Sequence, residues 1–348
     1  MKRIGNLFEK ICETDNLIKA IENATRGKRN RRFYKKVYDE RELWAIKLQR
    51  ELVNKTIKLN EPYTFTLVQK NGKVREISKP HLYPDHILHW AVMQILEPIF
   101  MKRFYKYSCG NQPGKGVHYA KKYVDKIMKT NPKYILKMDI HHFYPSINHD
   151  CLKALLSDKF KDKELLWVLG LIIDYGGDGL PIGFYSSQLL ANFYLDNLDR
   201  FIKSDLRVKY YVRYVDDMVI FLNNKRKLHK IREAIELYLK SLKLDLKPNY
   251  TVFRTNSRPL DFLGFKWINN MVLLRNSIYK SLIRSLSIIK RKGYCTIRRA
   301  RGITSFLGWC KYAWCKKTYL EKVKPIISKR KVANIISKFD AKRSMIRC

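Results

Sequence analysis

Acidic residues are scarce in this 348-residue chain, where 31 Asp and Glu face 71 Lys and Arg and leave a formal charge of +40. That excess goes far beyond what solubility requires and implies a polyanionic partner. Long apolar runs are also missing. No stretch of about 18 apolar residues appears, and the N-terminal MKRIGNLFEKICETDN mixes charge with apolar residues at helical spacing, without a signal-peptide core. The expectation is a cytoplasmic protein with no membrane partner. Cysteine is sparse and unclustered: Cys12, Cys109, Cys151, Cys295, Cys310, Cys315 and Cys348 form no CxxC pair and have no His at ligand spacing. They read as reduced thiols rather than as a zinc site or a disulfide framework. Repeats and low-complexity linkers are absent too. Acids almost vanish from residues 276–348, where Glu321 and Asp340 stand against 20 Lys and Arg. Two acids cannot furnish the carboxylate cluster of a ribonuclease H or a metal-dependent endonuclease.

What is there is a chain with 46% apolar side chains, enough for a large core and more than one lobe. Its 6 Trp, 22 Tyr and 16 Phe are interleaved with basic residues along the whole length. Nucleic acid fits that pattern better than a membrane surface, because aromatic rings can stack on bases while cations meet phosphates. Composition alone leaves open a ribosomal or chromatin-type protein that only neutralises phosphate.

Residues 1–55 read as helical, with Ile4, Leu7, Phe8 and Ile11 at spacings of three and four, interrupted by a basic run from Arg26 to Lys36 that reads as a phosphate-contacting loop. From Tyr63 to Ile77 the residues alternate around Asn71-Gly72, a strong hairpin signal. Helical spacing returns over His86–Met101. A short apolar strand, Tyr134–Met138, then runs into an acid. Further on the pattern predicts a helix near Ser187–Lys203, a hairpin at Lys209–Leu222, a helix near Leu228–Leu242 and a second hairpin near Asp261–Leu274. The last segment reads as a basic helical lobe with Phe306, Trp309, Tyr312 and Trp314.

The strongest local feature is Tyr211-Val-Arg-Tyr-Val-Asp-Asp-Met-Val-Ile-Phe-Leu222, two apolar strand-like runs meeting at adjacent aspartates. A hairpin tip would let Asp216 and Asp217 converge on a cation, although Asp is also an ordinary turn residue. A second strand, Lys133-Tyr-Ile-Leu-Lys-Met-Asp139, delivers another carboxylate, and Pro145 beyond it is expected to end the strand. Carboxylates from separate strands suit two Mg²⁺ ions about 4 Å apart, one activating an attacking hydroxyl and one holding a leaving pyrophosphate. His141 and His142 read as packing or solvent-facing residues rather than ligands.

These segments together resemble the reverse transcriptases. Asp139 in MDIHHFYPSI is similar to the family's first catalytic motif and Tyr214-Val215-Asp216-Asp217 to its YxDD box. Gly179-Leu-Pro-Ile-Gly183-Phe-Tyr-Ser-Ser-Gln188-Leu-Leu-Ala-Asn192 resembles the motif that cradles template and incoming nucleotide, and Phe262-Leu263-Gly264-Phe265 the primer grip. The resemblance runs from about residue 60 to 270. It implies an α+β right-hand polymerase: N-terminal helices and fingers over residues 1–130, an antiparallel-sheet palm over 131–275 and a basic helical thumb over 276–348. It implies catalysis by Asp139, Asp216 and Asp217, with Ile140 joining them in a site for two Mg²⁺ ions. Lys73 and Arg75 match the residues that grip the triphosphate, Ile182, Gly183 and Gln188 line the nucleotide, and Tyr144 matches the aromatic gate against a ribose 2′-hydroxyl. A Lys beyond the palm hairpin can act as general acid in the family. Lys247 is nearest here, but the usual Lys-Thr pair is replaced by Tyr250-Thr251.

Ser187-Gln188 stands where most reverse transcriptases have Ser-Pro, and Ile182 where retroviral enzymes place Gln. With Ser108-Cys-Gly-Asn-Gln-Pro-Gly-Lys-Gly-Val-His118, this resembles the diversity-generating retroelement subgroup. The NAxxH and VTG signatures of retron enzymes are absent, as is the longer tail of group II intron enzymes. The subgroup implies error-prone copying of a template-repeat RNA into cDNA, with dNTPs, an RNA/DNA heteroduplex and a small basic accessory protein oligomer as partners. Defence-associated bacterial reverse transcriptases of the abortive-infection type share the palm and remain open, as does a non-catalytic RNA-binding protein on a polymerase scaffold.

Overall fold

The protein is described from a computed structural model covering residues 3–69, 72 and 74–345, with side chains as far as Ala341. By compactness it divides into two units. One comprises Met1–Gly116, Leu136–Ile220 and Arg226–Thr251, the other Val117–Ile135, Phe221–Lys225 and Val252–Cys348.

The first unit opens with four helices, α1 (Phe8–Cys12), α2 (Thr14–Thr25), α3 (Arg32–Asp39) and α4 (Arg41–Val53). Leu17, Ala20, Ile21 and Ala24 repeat at three and four along α2 and are fully or almost fully buried, so packing rather than propensity holds the helix. The basic run expected as a loop is helical from Arg32 onward. Its cations lie on neighbouring rings, the Arg29 guanidinium 3.4 Å from the Tyr38 ring centre, which removes part of the repulsion that favours an open loop. The hairpin of β1 (Tyr63–Val68) and β2 (Val74–Lys79) pairs Phe65 with Ile77 and Val68 with Val74. Then come α5 (Ile87–Arg103), whose apolar residues are buried on most sides, and β3 (Ser108–Cys109). Between them the two units hold α6 (Val117–Met128) and β4 (Tyr134–Asp139).

β4 ends at Asp139, and Pro145 is not its terminator. It lies in the single turn α7 (Phe143–Ser146), within the first turn of a helix, where a missing N–H is tolerated. Helices α8 (His149–Lys159) and α9 (Lys163–Asp174) follow, which the apolar spacing did not single out. Their starts are written in the caps: Asn148 accepts from Cys151 N at 3.1 Å and Asp162 from Leu165 N at 3.1 Å. The helix expected near Ser187–Lys203 begins earlier and breaks at Leu195 into α10 (Tyr185–Tyr194) and α11 (Asp196–Arg200). The hairpin β5 (Tyr210–Tyr214) and β6 (Asp217–Leu222), the helix α12 (Lys225–Ser241) and β7 (Thr251–Arg254) complete this stretch. One five-stranded sheet runs β3-β5-β6-β4-β7, with β3 parallel to β5. Its central strands carry buried runs such as Ile135, Leu136 and Met138, and Met218 to Phe221, as expected of strands covered on both faces.

In the second unit, residues 260–274 form three strands rather than one hairpin: β8 (Leu260–Phe262), β9 (Phe265–Ile268) and β10 (Met271–Leu274) in an antiparallel meander. The extra turn is Asn269-Asn270, with φ of 47° and 60°, a left-handed conformation that Asn tolerates and a two-residue hairpin favours. The helices α13 (Asn276–Lys292), α14 (Ile297–Cys310), the short α15 (Lys316–Thr318) and α16 (Lys329–Met345) form the expected basic helical lobe. Among the described residues, no helix is long and apolar enough to cross a membrane, and the six described cysteines are free.

Candidate active site

The first unit brings the ends of β4 and the β5–β6 turn together. Asp139 closes β4. Beyond it an isolated antiparallel bridge joins Ile140 to Leu246, held by His141 N on Asp245 O at 2.8 Å and Lys247 N on Asp139 O at 2.9 Å. Both ladder bonds flank Ile140, so its buried side chain is fixed without its own carbonyl in the pairing. The Lys247 ammonium forms an ion pair with Asp139 Oδ2. Asp139 Oδ1 is buried and meets no hydrogen-bond partner among the described residues.

Asp216 occupies the turn between β5 and β6, half-buried, and its carboxyl is pushed up to about 7, first by desolvation and then by the charge of Asp139. Asp217, the first residue of β6, adds to that repulsion. Among the described residues no group of three His, Cys, Asp or Glu stands ready around one point. What the fold builds is therefore a pair, Asp139 with Asp216, and Asp217 beside it. Two carboxyls that repel one another, with one buried oxygen lacking a donor, have the chemistry of a site for a hard cation.

Tyr144 lies near this pair, and Arg75 and the Gly179–Gly183 loop lie near Tyr144. Tyr144 on α7 is half-buried, takes a hydrogen bond from Asn111 Nδ2 at 3.0 Å, and is raised to about 12 by burial and by Asp216. Arg75 on β2 exerts a smaller opposing influence on the same phenol. The Gly179–Gly183 loop is clamped on both sides. Leu180 N donates to Tyr144 O at 2.9 Å, His149 Nε2 lies 2.7 Å from Gly179 O, and Ser78 N on β2 donates to Ile182 O at 2.9 Å. Glycine is required twice here. A Cβ on Gly179 would overlap the Pro145 carbonyl and one on Gly183 the Ser78 carbonyl, and their φ values of 68° and 128° disfavour any other residue. Gln188 lies half-buried in the first turn of α10. Lys73 lies outside the described residues. His141 and His142 are exposed, edge to face with ring centres 4.2 Å apart.

In the second unit, Phe262 and Phe265 are fully buried at the ends of β8 and β9. Leu263 and Gly264 make the turn between them with φ of 53° and 85°. Phe265 packs against Trp309 of α14 at 5.1 Å between ring centres.

Residues 68–267, more than half of the chain, match the family described as reverse transcriptase (RNA-dependent DNA polymerase). The chain belongs to the reverse transcriptase family. Among its relatives is the retron Ec73 reverse transcriptase of Escherichia coli, 23% identical over 288 residues, covering 76% of this chain and 88% of that enzyme. The group II intron-encoded protein LtrA of Lactococcus lactis is 23% identical over 315 residues, covering 69% of this chain but 50% of LtrA. A solved telomerase from Candida albicans, in complex with a fragment of telomeric RNA, aligns with a TM-score of 0.50 and 14% identity over 68% of this chain and 51% of the telomerase chain. The fold is thus that of a right-hand polymerase, as the motifs implied, and this chain spans about half the length of some relatives.

Some residues of this reverse transcriptase site escape the motifs. Ser78 and His149 fix the loop through contacts distant in sequence, and no local pattern marks them, whereas Asn111, which donates to Tyr144, lies within the Ser108–His118 segment. Arg213 did carry a signal. A cation in the middle of the apolar run YYVRYV can only be exposed on the strand's other face or paired inside, and it is fully buried.

Proposed function

We propose that this protein is an RNA-templated DNA polymerase whose chemistry is centred on Asp139, Asp216 and Asp217. The observation that carries the reading is the Asp139–Asp216 pair, with its partnerless buried oxygen and its raised carboxyl, beneath a glycine loop tied to β2. Asp139, Asp216 and Asp217, with the Ile140 carbonyl, would hold two divalent cations, which supply charge to activate a primer 3′-hydroxyl and to steady the departing pyrophosphate. Arg75, with Lys73, meets the triphosphate from the β2 side and offsets charge on the leaving oxygens. Ile182, Gly183 and Gln188 bound the base and sugar, and the Tyr144 ring excludes a 2′-hydroxyl. In the second unit, Phe262, Leu263, Gly264 and Phe265 serve as primer grip, and the basic helices beyond residue 276 neutralise heteroduplex phosphates, which makes binding steeply salt-dependent. In this reading fingers, palm and thumb correspond to residues 1–130, 131–275 and 276–348.

The test is Mg²⁺-dependent dNTP incorporation on a primed RNA template by wild type and by Asp216→Asn and Asp217→Asn. Loss of incorporation in the variants is expected, and wild-type activity in both would overturn the assignment. No incorporation by the wild type itself would leave the non-catalytic RNA-binding reading standing.

The finer reading is error-prone copying of a template-repeat RNA in a diversity-generating retroelement, with a small basic accessory protein oligomer as partner. It rests on Ile182, Gln188 and the Ser108–His118 segment. Ile182 anchors the loop through its carbonyl, so its side chain is free to change, and a branched apolar group cannot hydrogen-bond as Gln would. Ile182→Gln should lower misincorporation opposite template adenine in sequenced cDNA, and an unchanged error rate counts against this reading. Similarity to a retron enzyme over 88% of that enzyme favours a second reading, another bacterial reverse transcriptase, including the defence-associated kind. Product formed when no RNA is supplied would point to the latter.

A further inference from the structure

Arg213 is the largest fully buried side chain in the described protein. It sits two residues before the turn that bears Asp216. Its guanidinium grips Asp199 on α11 with both arms, Nε to Oδ1 at 2.8 Å and Nη2 to Oδ2 at 2.6 Å. Asp199 is itself fully buried and also accepts from Tyr211 Oη at 2.8 Å. The remaining nitrogen, Nη1, donates to the carbonyl of Val215 at 2.8 Å and to Asn192 Oδ1 at 3.2 Å. Asn192 is buried on α10 and donates to Gly110 O at 3.1 Å.

Val215 is the residue that needs holding. Its φ is 58°, a left-handed conformation in which a β-branched side chain is a steric outlier. Neither neighbour in the turn shares the positive φ, and the first central position of such a hairpin turn ordinarily takes Gly. A strained residue of this kind persists only when its surroundings over-determine it. Here its N–H donates to Cys109 O on β3 at 3.1 Å and its carbonyl accepts from Arg213. Release of that carbonyl would let the peptide joining Val215 to Asp216 rotate, and with it the direction of the Asp216 carboxyl.

We infer that Arg213, braced by Asp199, is a positioning residue that locks Val215 in its left-handed conformation and thereby aims Asp216 at Asp139. The inference rests on the catalytic assignment proposed above and extends it to side chains that never meet substrate. Asp199 holds the guanidinium in register, and Tyr211 and Asn192 fill the polar positions around it. A buried ion pair is weak support for stability as such, since apolar replacement of both partners is often neutral. This pair gains its significance from the third hydrogen bond, on the turn.

Two variants separate aim from stability. Arg213→Lys keeps the charge beside Asp199 but loses the planar fork that reaches two acceptors at once. The combined variant Arg213→Met, Asp199→Leu, Tyr211→Phe removes the polar cluster without leaving an unpaired charge. In both, kcat for dNTP incorporation should fall by about 100-fold, the usual consequence of a 1 Å misplacement, while hybrid affinity and dNTP KM change less than about twofold. Adding Val215→Gly, which adopts positive φ without a Cβ clash, should return part of the lost kcat. Wild-type kcat in the combined variant overturns the inference, as does a loss of kcat that tracks global unfolding and is not recovered by Val215→Gly. If the variants do not fold, amide exchange in the wild type decides. Protection at Val215–Asp217 close to that of β5 and β6 is expected, and rapid exchange there in the folded protein overturns it. Should Asp216→Asn retain full activity, the catalytic assignment fails instead, and the exchange measurement still reports on the turn.

Discussion

The ammonium of Lys247 pairs with one carboxylate oxygen of Asp139, while the other oxygen of the same carboxylate is buried without a donor. One acid thus faces a protein cation on one side and a second carboxyl, Asp216, on the other. A cation entering between Asp139 and Asp216 competes with Lys247 for the same charge. Lys247→Met should therefore lower the Mg²⁺ concentration for half-maximal incorporation by about fivefold, equivalent to about 1 kcal/mol for a partly exposed pair. If Lys247 also protonates the leaving pyrophosphate, kcat at saturating Mg²⁺ falls in the same variant. A Mg²⁺ titration of primer extension reads both, and an unchanged half-saturation point would show that Lys247 does not compete.

Gly183→Ala forces a Cβ into the Ser78 carbonyl at a φ of 128°. The loop must then leave β2, breaking the 2.9 Å bond from Ser78 N to Ile182 O. Denaturant unfolding should register a loss of about 1–3 kcal/mol, typical of strain at a position that only glycine fits. Because β2 also bears Arg75, the KM for dNTP should rise in steady-state kinetics more than kcat falls.

Tyr144 ties the Gly179–Gly183 loop by its backbone carbonyl and faces Asp216 with its ring. Removing the ring leaves the backbone tie in place. Tyr144→Ala should raise the rNTP to dNTP incorporation ratio by about 10- to 100-fold, the range for one steric contact in a pocket. Tyr144→Phe keeps the ring and should keep the discrimination. Single-nucleotide extension with matched ribo- and deoxyribonucleotides measures the ratio, and equal ratios for the Ala variant and wild type would remove Tyr144 from the gate.

His89 is fully buried on α5, with Nδ1 2.6 Å from Ser186 Oγ. Burial, and then neighbouring His86, push it down from 6.5 to about 3. A folded value below the unfolded one means that the unfolded chain binds the proton first. Its contribution to stability is complete above pH 6.5 and is lost as pH falls from 6.5 towards 3, by up to about 1.4 kcal/mol per pH unit. Urea unfolding at pH 7 and pH 5 should show a steeper loss for wild type than for His89→Asn. Equal losses would mean that another group governs the acid limb.

Much of this site is readable in the chain because its signals are local. Asp139 ends an apolar strand and Asp216 sits in the turn between two others, and the pairing of those strands brings both acids to one end of the sheet. The hairpin from Tyr63 to Ile77, the β5–β6 hairpin and the basic lobe after residue 276 follow from alternation, turn residues and charge over short windows. Misreadings arose where a short-range competitor decided the outcome: Tyr38 drawing Arg29 beside a helix, Asn269-Asn270 adding a strand, and the caps Asn148 and Asp162 starting helices that apolar spacing had not marked.

Composition and local pattern by themselves determined that this chain is strongly basic, mixes helix with sheet and carries carboxylates at or beside strand ends. Tertiary structure alone decided which two carboxyls meet and what surrounds them. The raised Asp216, the Lys247 counter-ion on Asp139, and the Arg213–Asp199 brace beneath Val215 all depend on groups brought within hydrogen-bond reach by burial. Around Arg213 and Asp199 water is fully excluded, and around Asp216 largely so, which strengthens those interactions, and the packing that excludes it is a property of the folded chain.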